Sequence, residues 1–147
     1  MTITVRQATE HNLMALGTLY AELHPADPML SHEQAMQTWQ EIIGQAGRTL
    51  LIALREETAV GTVDSIVVPN LTRGGRPYML VENVVVARSA RRQGVAGRMF
   101  NALIDLARAV GCYKVQLLSH VDRCDAHRFY ESRGLRPVAQ GYRLYLD

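Results

Sequence analysis

The most constraining feature of this chain is a valine-rich run that leads through an arginine- and glycine-containing turn into a long amphipathic stretch. The run at 79–87 is mostly apolar and β-branched, which is typical of a buried strand. After the turn, apolar residues recur at three- and four-residue spacing until Gly111, which predicts a helix with a glycine stop. These residues are Val95, Met99, Leu103, Leu106 and Val110. The sequence therefore predicts a strand, a turn and a helix in direct succession.

The turn between the predicted strand and helix is positively charged, as a site that binds anions would be. A helix start carries partial positive charge and unpaired N–H groups, and Arg88, Arg91 and Arg92 add like charge there. A bound phosphate would accept hydrogen bonds from the amides and the arginines. Solvated arginines and a packing role for Gly94 are the simpler alternative, which spacing alone does not exclude. The Gly-Lys-Ser/Thr and Gly-x-Gly-x-x-Gly motifs of two other nucleotide-binding classes do not occur in the sequence.

Two motifs carry a resemblance to a known family. Arg91-x-x-Gly94-x-Ala96, after the valine strand, resembles the Arg/Gln-x-x-Gly-x-Gly/Ala signature of the Gcn5-related N-acetyltransferases (GNAT). The segment at 126–135, Ala-His-Arg-Phe-Tyr-Glu-Ser-Arg-Gly-Leu, resembles that family's second motif, Ala-x-x-Phe-Tyr-Glu-x-x-Gly-Phe. The two motifs stand in the family's order with a strand between them. The resemblance extends over nearly the whole chain and is strongest from 81 to 135.

The resemblance implies an α/β (α+β) GNAT fold. Its central mixed, mostly antiparallel sheet would have 6–7 strands with about four helices, in the order β-α-α-β-β-β-α-β-α-β. At 147 residues the chain is long enough to bury a core, so we expect residues 1–147 to form a single N-acetyltransferase domain. Ser31 and Gln34 are spaced as a capping box before the second helix. Strands are expected at 49–54 and 59–68, joined in an antiparallel hairpin. The last strands are expected at Val138 and at 142–146.

Composition and charge limit which partners and which cellular compartment we expect for the protein. No apolar run reaches the length of a membrane span and no leader-like segment begins the chain, which favours the cytoplasm and no membrane partner. Cys112 and Cys124 are too few for a disulfide framework. The basic residues are dispersed without interleaved aromatics, which argues against nucleic acid. The apolar strand expected at 142–146 needs a partner, and relatives often pair there, so we expect a homodimer.

The charge is also unevenly distributed. The first 47 residues hold five acids against Arg6 alone, a net charge of −4, so the remaining residues carry +6. This asymmetry fits a second part that holds an anionic coenzyme and a first part that collects a cationic substrate, although drift of surface charge would produce the same pattern.

The family resemblance implies acetyl-coenzyme A (acetyl-CoA) as co-substrate. The amides from Arg92 to Gly97 would cradle its pyrophosphate, and the strand at 84–86 would pair with the pantetheine arm as an added strand does. The central strand must then diverge from the strand that follows the long helix. The implied coenzyme contacts are Val84, Val85, Val86, Arg91, Arg92, Gln93, Gly94, Val95, Ala96 and Gly97.

Acetyl transfer to an amine requires a base, a polarised carbonyl and a proton for the departing thiolate. Glu82 is the candidate base, because a carboxylate in a buried strand is less well solvated and binds a proton more readily. In some relatives the acid falls at the position of Leu80 instead. The resemblance implies Tyr130 as general acid at the sulfur, and the amide of Val85 or a neighbour as the carbonyl's partner. A core role beside Phe129 is the alternative for Tyr130.

The sequence says less about which amine accepts the acetyl group than about the reaction itself. Sub-resemblances to aminoalkylphosphonate and to glucosamine-6-phosphate N-acetyltransferases point to different acceptors, and Arg123 replaces an asparagine of many relatives. No metal is expected, because the His, Cys and Asp residues between 120 and 127 lack zinc spacing. The sequence therefore predicts an enzyme that moves acetyl from acetyl-CoA to a small-molecule primary amine by direct attack in a ternary complex. The alternatives are a non-catalytic acetyl-CoA sensor or scaffold and a protein or peptide N-acetyltransferase.

Overall fold

A computed structural model describes residues 2–147, in which one mixed sheet is flanked by four α-helices. The strands are β1 (Ile3–Gln7), β2 (Arg48–Arg55), β3 (Thr58–Val68), β4 (Tyr78–Val86) and β5 (Val115–Leu117). The helices are α1 (Leu13–Leu23), α2 (His32–Gly44), α3 (Val95–Ala109) and α4 (Cys124–Ser132). Across this described range, no helix has both the length and the apolar character that crossing a bilayer requires.

The sheet follows chain order, β1-β2-β3-β4-β5, and only the β4–β5 pair is parallel. The predicted β2–β3 hairpin and the long helix α3 are confirmed. The capping box before α2 is confirmed as well, since the Ser31 hydroxyl accepts from the Gln34 N–H at 3.1 Å and the Ser31 N–H donates to Gln34 Oε1 at 2.9 Å. These features depend on residues close in sequence or on a strong hydrophobic period.

The core lies on both sides of β2. Leu51 and Ala53 belong to a large cluster with β3, β4 and α3, whereas Leu50 and Ile52 belong to a second cluster with Trp39 of α2. Successive side chains of a strand point to opposite faces, so this apolar run is buried on both. Trp39 of α2 is a core residue with 6% exposure.

The prediction of 6–7 strands was wrong, because the described residues form a sheet of five. Neither Val138 nor the segment at 142–146 belongs to a strand. A strand needs a hydrogen-bonded neighbour, and residues 2–147 provide none beside this segment. Their large apolar side chains are 71–92% exposed. The apolar pattern is therefore present without the strand that it predicted.

Candidate active site

A β-bulge interrupts β4 at its middle. Asp64 of β3 pairs with Glu82, and the next partners are Thr62 and Val85, so β4 takes three steps where β3 takes two. The additional residue lies next to Asn83, whose φ of 53° is in the left-handed region. A bulge of this kind bends a strand and changes the direction of its side chains.

The pairing between β4 and β5 ends at the same place. Only three residue pairs join the two strands, the last being Val81 with Leu117. The predicted divergence of the central strand is therefore present. The Ala87 N–H donates to the Val60 carbonyl on the β3 side at 2.8 Å. Because successive residues alternate in direction, Val84 and Val86 point their N–H and C=O groups at the open side, while those of Val85 face β3.

The turn after β4 leads into a helix start with free amides. Arg92 and Gly94 have φ values of 63° and 82°, and Gly94 is the N-cap of α3. The first bond of the helix runs from the Arg98 N–H to the Gly94 carbonyl at 3.1 Å. The N–H groups at 95–97 therefore have no acceptor in the preceding turn. Their arrangement and the helix dipole favour an anion at this point.

The turn is braced by residues that the sequence did not single out. Glu22 of α1 accepts from the Arg88 N–H at 2.8 Å, and Arg55 at the end of β2 donates to Gln93 Oε1 at 2.6 Å. Gln93 Nε2 donates to the Ser89 carbonyl at 3.4 Å. The Gln93 side chain is thus engaged within the protein, so only its backbone N–H is available to a ligand. Spacing gives no signal for Glu22 and Arg55, because both bonds join residues far apart in sequence.

Glu82 is exposed, so the expectation that its carboxylate would be buried was wrong. The physical reason is that Glu82 comes directly after the last β4–β5 pair, where no further strand covers β4. Leu80, the alternative position, pairs with Gln116 and is half-buried. Glu82 therefore stands at the point in the strand where β4 loses its β5 neighbour.

Tyr130 lies on α4 and packs against α3. It is 7% exposed, and its ring centroid is 5.6 Å from that of Phe100. Burial raises the pKa of Tyr130, and the Arg123 guanidinium opposes the shift. The hydroxyl therefore keeps its proton at neutral pH, as a general acid must. Arg123 is the N-cap residue of α4, and its side chain makes no capping hydrogen bond.

A buried polar cluster beside the bulge was missed by sequence reasoning. Asp64 is 3% exposed and accepts from Arg48 Nε at 2.7 Å and from Arg48 Nη2 at 2.5 Å. Burial, and then the Asp64 charge, raise the pKa of Tyr20 to about 12. Since Asp64 is the register partner of Glu82, the cluster supports β3 where β4 bends. The available signal was a single aspartate inside the apolar run of β3, because a buried charge requires a partner.

The polar residues before α4 brace a loop. His120 Nδ1 lies 3.4 Å from Asp122 Oδ2, and His127 Nε2 lies 2.9 Å from the His120 carbonyl oxygen. In the described part of the chain, no three His, Cys, Asp or Glu side chains are grouped to hold a metal. Cys112 and Cys124 are free thiols.

Comparison with known proteins supports the same fold and chemistry. The chain matches the model of the acetyltransferase (GNAT) family over residues 16–135. It is 30% identical to a glucosamine 6-phosphate N-acetyltransferase of Trypanosoma brucei brucei, over 98% of this chain and 96% of that protein. A structure from Agrobacterium tumefaciens str. C58, provisionally described as an acetyltransferase, is 34% identical with a TM-score of 0.93, covering 97% and 99% of the two chains.

A more distant structure shares the fold alone. It is an aminoglycoside N-acetyltransferase in complex with CoA, 18% identical with a TM-score of 0.82, covering 98% of this chain and 94% of that one. The family match and the full-length relative together establish that this chain belongs to the acetyltransferase (GNAT) family. It is therefore an acyltransferase of the N-acetyltransferase class, and the family's acetyltransferases use acetyl-CoA.

Proposed function

We propose that this enzyme transfers the acetyl group of acetyl-CoA to a primary amine of a small molecule by direct attack in a ternary complex. The observation that carries the proposal is the succession of an open strand edge and an anion-binding helix start. The edge at Val84 and Val86 offers N–H and C=O groups to the amides of the pantetheine arm. The amides from Arg92 to Gly97 lie further along the chain, where a pyrophosphate would bind.

Some residues would contribute to the coenzyme site through their side chains and others through their backbone. Val85 would contribute its buried side chain to the wall of the site, because its backbone faces β3. The thioester carbonyl would then accept from a neighbouring N–H on the open edge rather than from Val85. Gln93 would contribute through its backbone alone, and the exposed guanidinium groups of Arg91 and Arg92 would add charge.

The chemical step needs proton transfers at the nitrogen and at the sulfur. The amine nitrogen attacks the thioester carbon, the new C–N bond forms and the C–S bond breaks. The exposed carboxylate of Glu82 would attract the substrate ammonium and take one of its protons, directly or through one water, which frees the lone pair that attacks. The second proton would leave the nitrogen as the C–S bond breaks and would replace, through water, the proton that Tyr130 gives up. Tyr130 would give its proton to the departing thiolate, and its raised pKa keeps that proton available.

Thiol release tests the proposal most simply. The purified protein is mixed with acetyl-CoA and a panel of amines, and amine-dependent release of CoA is followed. We expect Glu82→Gln to lower turnover roughly 100-fold and Tyr130→Phe about tenfold, with coenzyme binding retained. Glu57→Gln, in the β2–β3 turn, and Tyr113→Phe are matched controls that should remain active. Coenzyme binding without amine-dependent release would contradict the proposal and favour a sensor or scaffold.

The acceptor proposed first is a small amine that also carries a phosphate or phosphonate. The Trypanosoma brucei brucei relative is named for glucosamine 6-phosphate, and the other sub-resemblance is to enzymes of aminoalkylphosphonates. The panel should therefore contain both compounds beside aminoglycosides and a lysine peptide. Faster release with the peptide than with any small amine would overturn the small-molecule assignment.

We also propose that the enzyme is a homodimer. The tail at 142–146 is apolar, exposed and without a strand partner among residues 2–147. Gly141, directly before the tail, lies beside Leu118, the residue that follows β5, because a Cβ on Gly141 would approach Leu118 Cδ2 to 2.8 Å. Pairing with a second copy would cover these side chains and the outer edge of β5. Light scattering should give the mass of a dimer, and deletion of 142–147 should give a monomer; a monomeric full-length chain would refute the proposal.

A further proposal concerns the compartment of the protein and the number of its domains. We propose that residues 1–147 act as one acetyltransferase domain in the cytoplasm. The two free thiols are compatible with a reducing compartment.

A further inference from the structure

The side chain of Arg133 lies across the first turn of α3. Arg133 directly follows α4, and its guanidinium occupies the space that a side chain at position 97 would need. A Cβ on Gly97 would collide with Arg133 Nη2. Gly97 has no positive φ to explain its glycine, and it is not part of the Arg91-x-x-Gly94-x-Ala96 signature. Glycine at this position therefore leaves the Arg133 guanidinium room to lie against the helix.

The guanidinium is held in place without being neutralised. Arg133 Nη1 donates to Asn101 Oδ1 at 3.1 Å, and the group lies 5.5 Å from the ring centroid of Phe129. Among residues 2–147, the ion pairs join Arg48, His120 and Arg128 to aspartates, and none involves Arg133. Asp105 lines the same shallow groove further along α3. The result is an exposed, oriented positive charge beside the free amides of the helix start.

We propose that Arg133 binds a phosphate oxygen of the coenzyme. This inference rests on the proposed function, because it requires the coenzyme to lie at the start of α3. Coenzyme A carries a pyrophosphate and a separate 3′-phosphate, more acceptor oxygens than the amides at 92–97 can satisfy. A guanidinium with a fixed plane and unused donors matches such a group. Because Gly97 has no side chain, it leaves the space that the Arg133 guanidinium needs beside the phosphate, so the two residues act as a pair.

The test compares the dissociation constants of coenzyme A and dephospho-coenzyme A by calorimetry. We expect Arg133→Ala to raise the Kd of coenzyme A about five- to tenfold. Gly97→Ala should raise it in the same direction, because the added methyl displaces the flexible end of Arg133 while alanine suits the helix. The double variant should be no weaker than Arg133→Ala alone, since the glycine acts through the arginine.

A control variant separates the effect of the Arg133–Gly97 pair on Kd from the effect of losing any positive charge in the groove. Arg108→Ala removes a positive charge from the same groove, roughly 16 Å along α3 from Gly97, and should change Kd less than twofold. A loss confined to coenzyme A assigns Arg133 to the 3′-phosphate, and an equal loss with dephospho-coenzyme A assigns it to the pyrophosphate. Tight binding by wild type with an unchanged Kd in Arg133→Ala would overturn this inference alone. No coenzyme binding by wild type would overturn the proposed function as well.

Discussion

The two halves of β4 belong to one continuous strand but have different neighbours. The first half, at 79–81, is hydrogen-bonded to β3 on one side and to β5 on the other. The second half, at 82–86, keeps β3 but has no strand partner on the β5 side within the described range 2–147. The Asn83 bulge and the shortness of β5 make the difference. One strand therefore serves two purposes, because its paired half stabilises the sheet while its open half is available to a ligand.

The largest expected effect separates the halves by stability. Val81 is 2% exposed in the paired half, whereas Val86 is half-buried in the open half. We expect Val81→Ala to lower the free energy of unfolding by about 3 kcal/mol and Val86→Ala by about 1 kcal/mol. Urea denaturation followed by circular dichroism measures both. Equal losses in the two variants would mean that the halves do not differ in their structural role.

The polar cluster beneath the bulge predicts a pH-dependent effect. Burial, followed by the Asp64 charge, raises the pKa of Tyr20 from 10.0 to about 12. The folded state therefore holds this proton more tightly than the unfolded state, so the contribution is complete below pH 10 and is lost as the pH rises through 12. We expect about 2 to 3 kcal/mol of unfolding free energy to disappear over this window.

Tyr20→Phe is the matched variant for that measurement, because it removes only the hydroxyl. Its unfolding free energy should fall less between pH 9 and pH 11 than that of the wild type, by roughly 1 kcal/mol. Spectrophotometric titration of both proteins would identify the late-ionising tyrosine directly. An identical pH dependence in the two proteins would show that Tyr20 is not held by this cluster.

A smaller effect tests the bulge itself. Asn83 has a φ of 53°, which asparagine and glycine tolerate and β-branched residues do not. Asn83→Val should cost about 1 to 2 kcal/mol of stability and weaken coenzyme binding, because the strand can relieve its strain only by losing the bulge. Asn83→Gly is the control and should change either quantity little. If Asn83→Val bound the coenzyme as tightly as Asn83→Gly, the bulge would not shape the site.

The features predicted from sequence were those with local physical causes. The Ser31–Gln34 capping box, the β2–β3 hairpin and the amphipathic pattern of α3 each depend on neighbours in the chain. The start of α3 was located by its arginines and Gly94 for the same reason. A cap, a short connection and a helical period are encoded within a few residues.

The remaining features depend on pairing between distant segments. The exposure of Glu82 follows from where β5 ends, 35 residues later in the chain. The strand predicted at 142–146 lacks its partner within one chain. The contact between Gly97 and Arg133 joins two helices whose relative position no local pattern specifies. Hydrophobic periodicity identifies a strand but not which of its edges stays open.

Amide hydrogen exchange with and without coenzyme A tests most directly whether the open half of β4 and the start of α3 form one binding surface. We expect coenzyme A to protect the N–H groups of Val84 and Val86 and those at 95–97, while Val85, whose N–H already faces β3, changes little. Saturation with coenzyme A without added protection at these positions would contradict the placement of the coenzyme and the enzyme mechanism built on it.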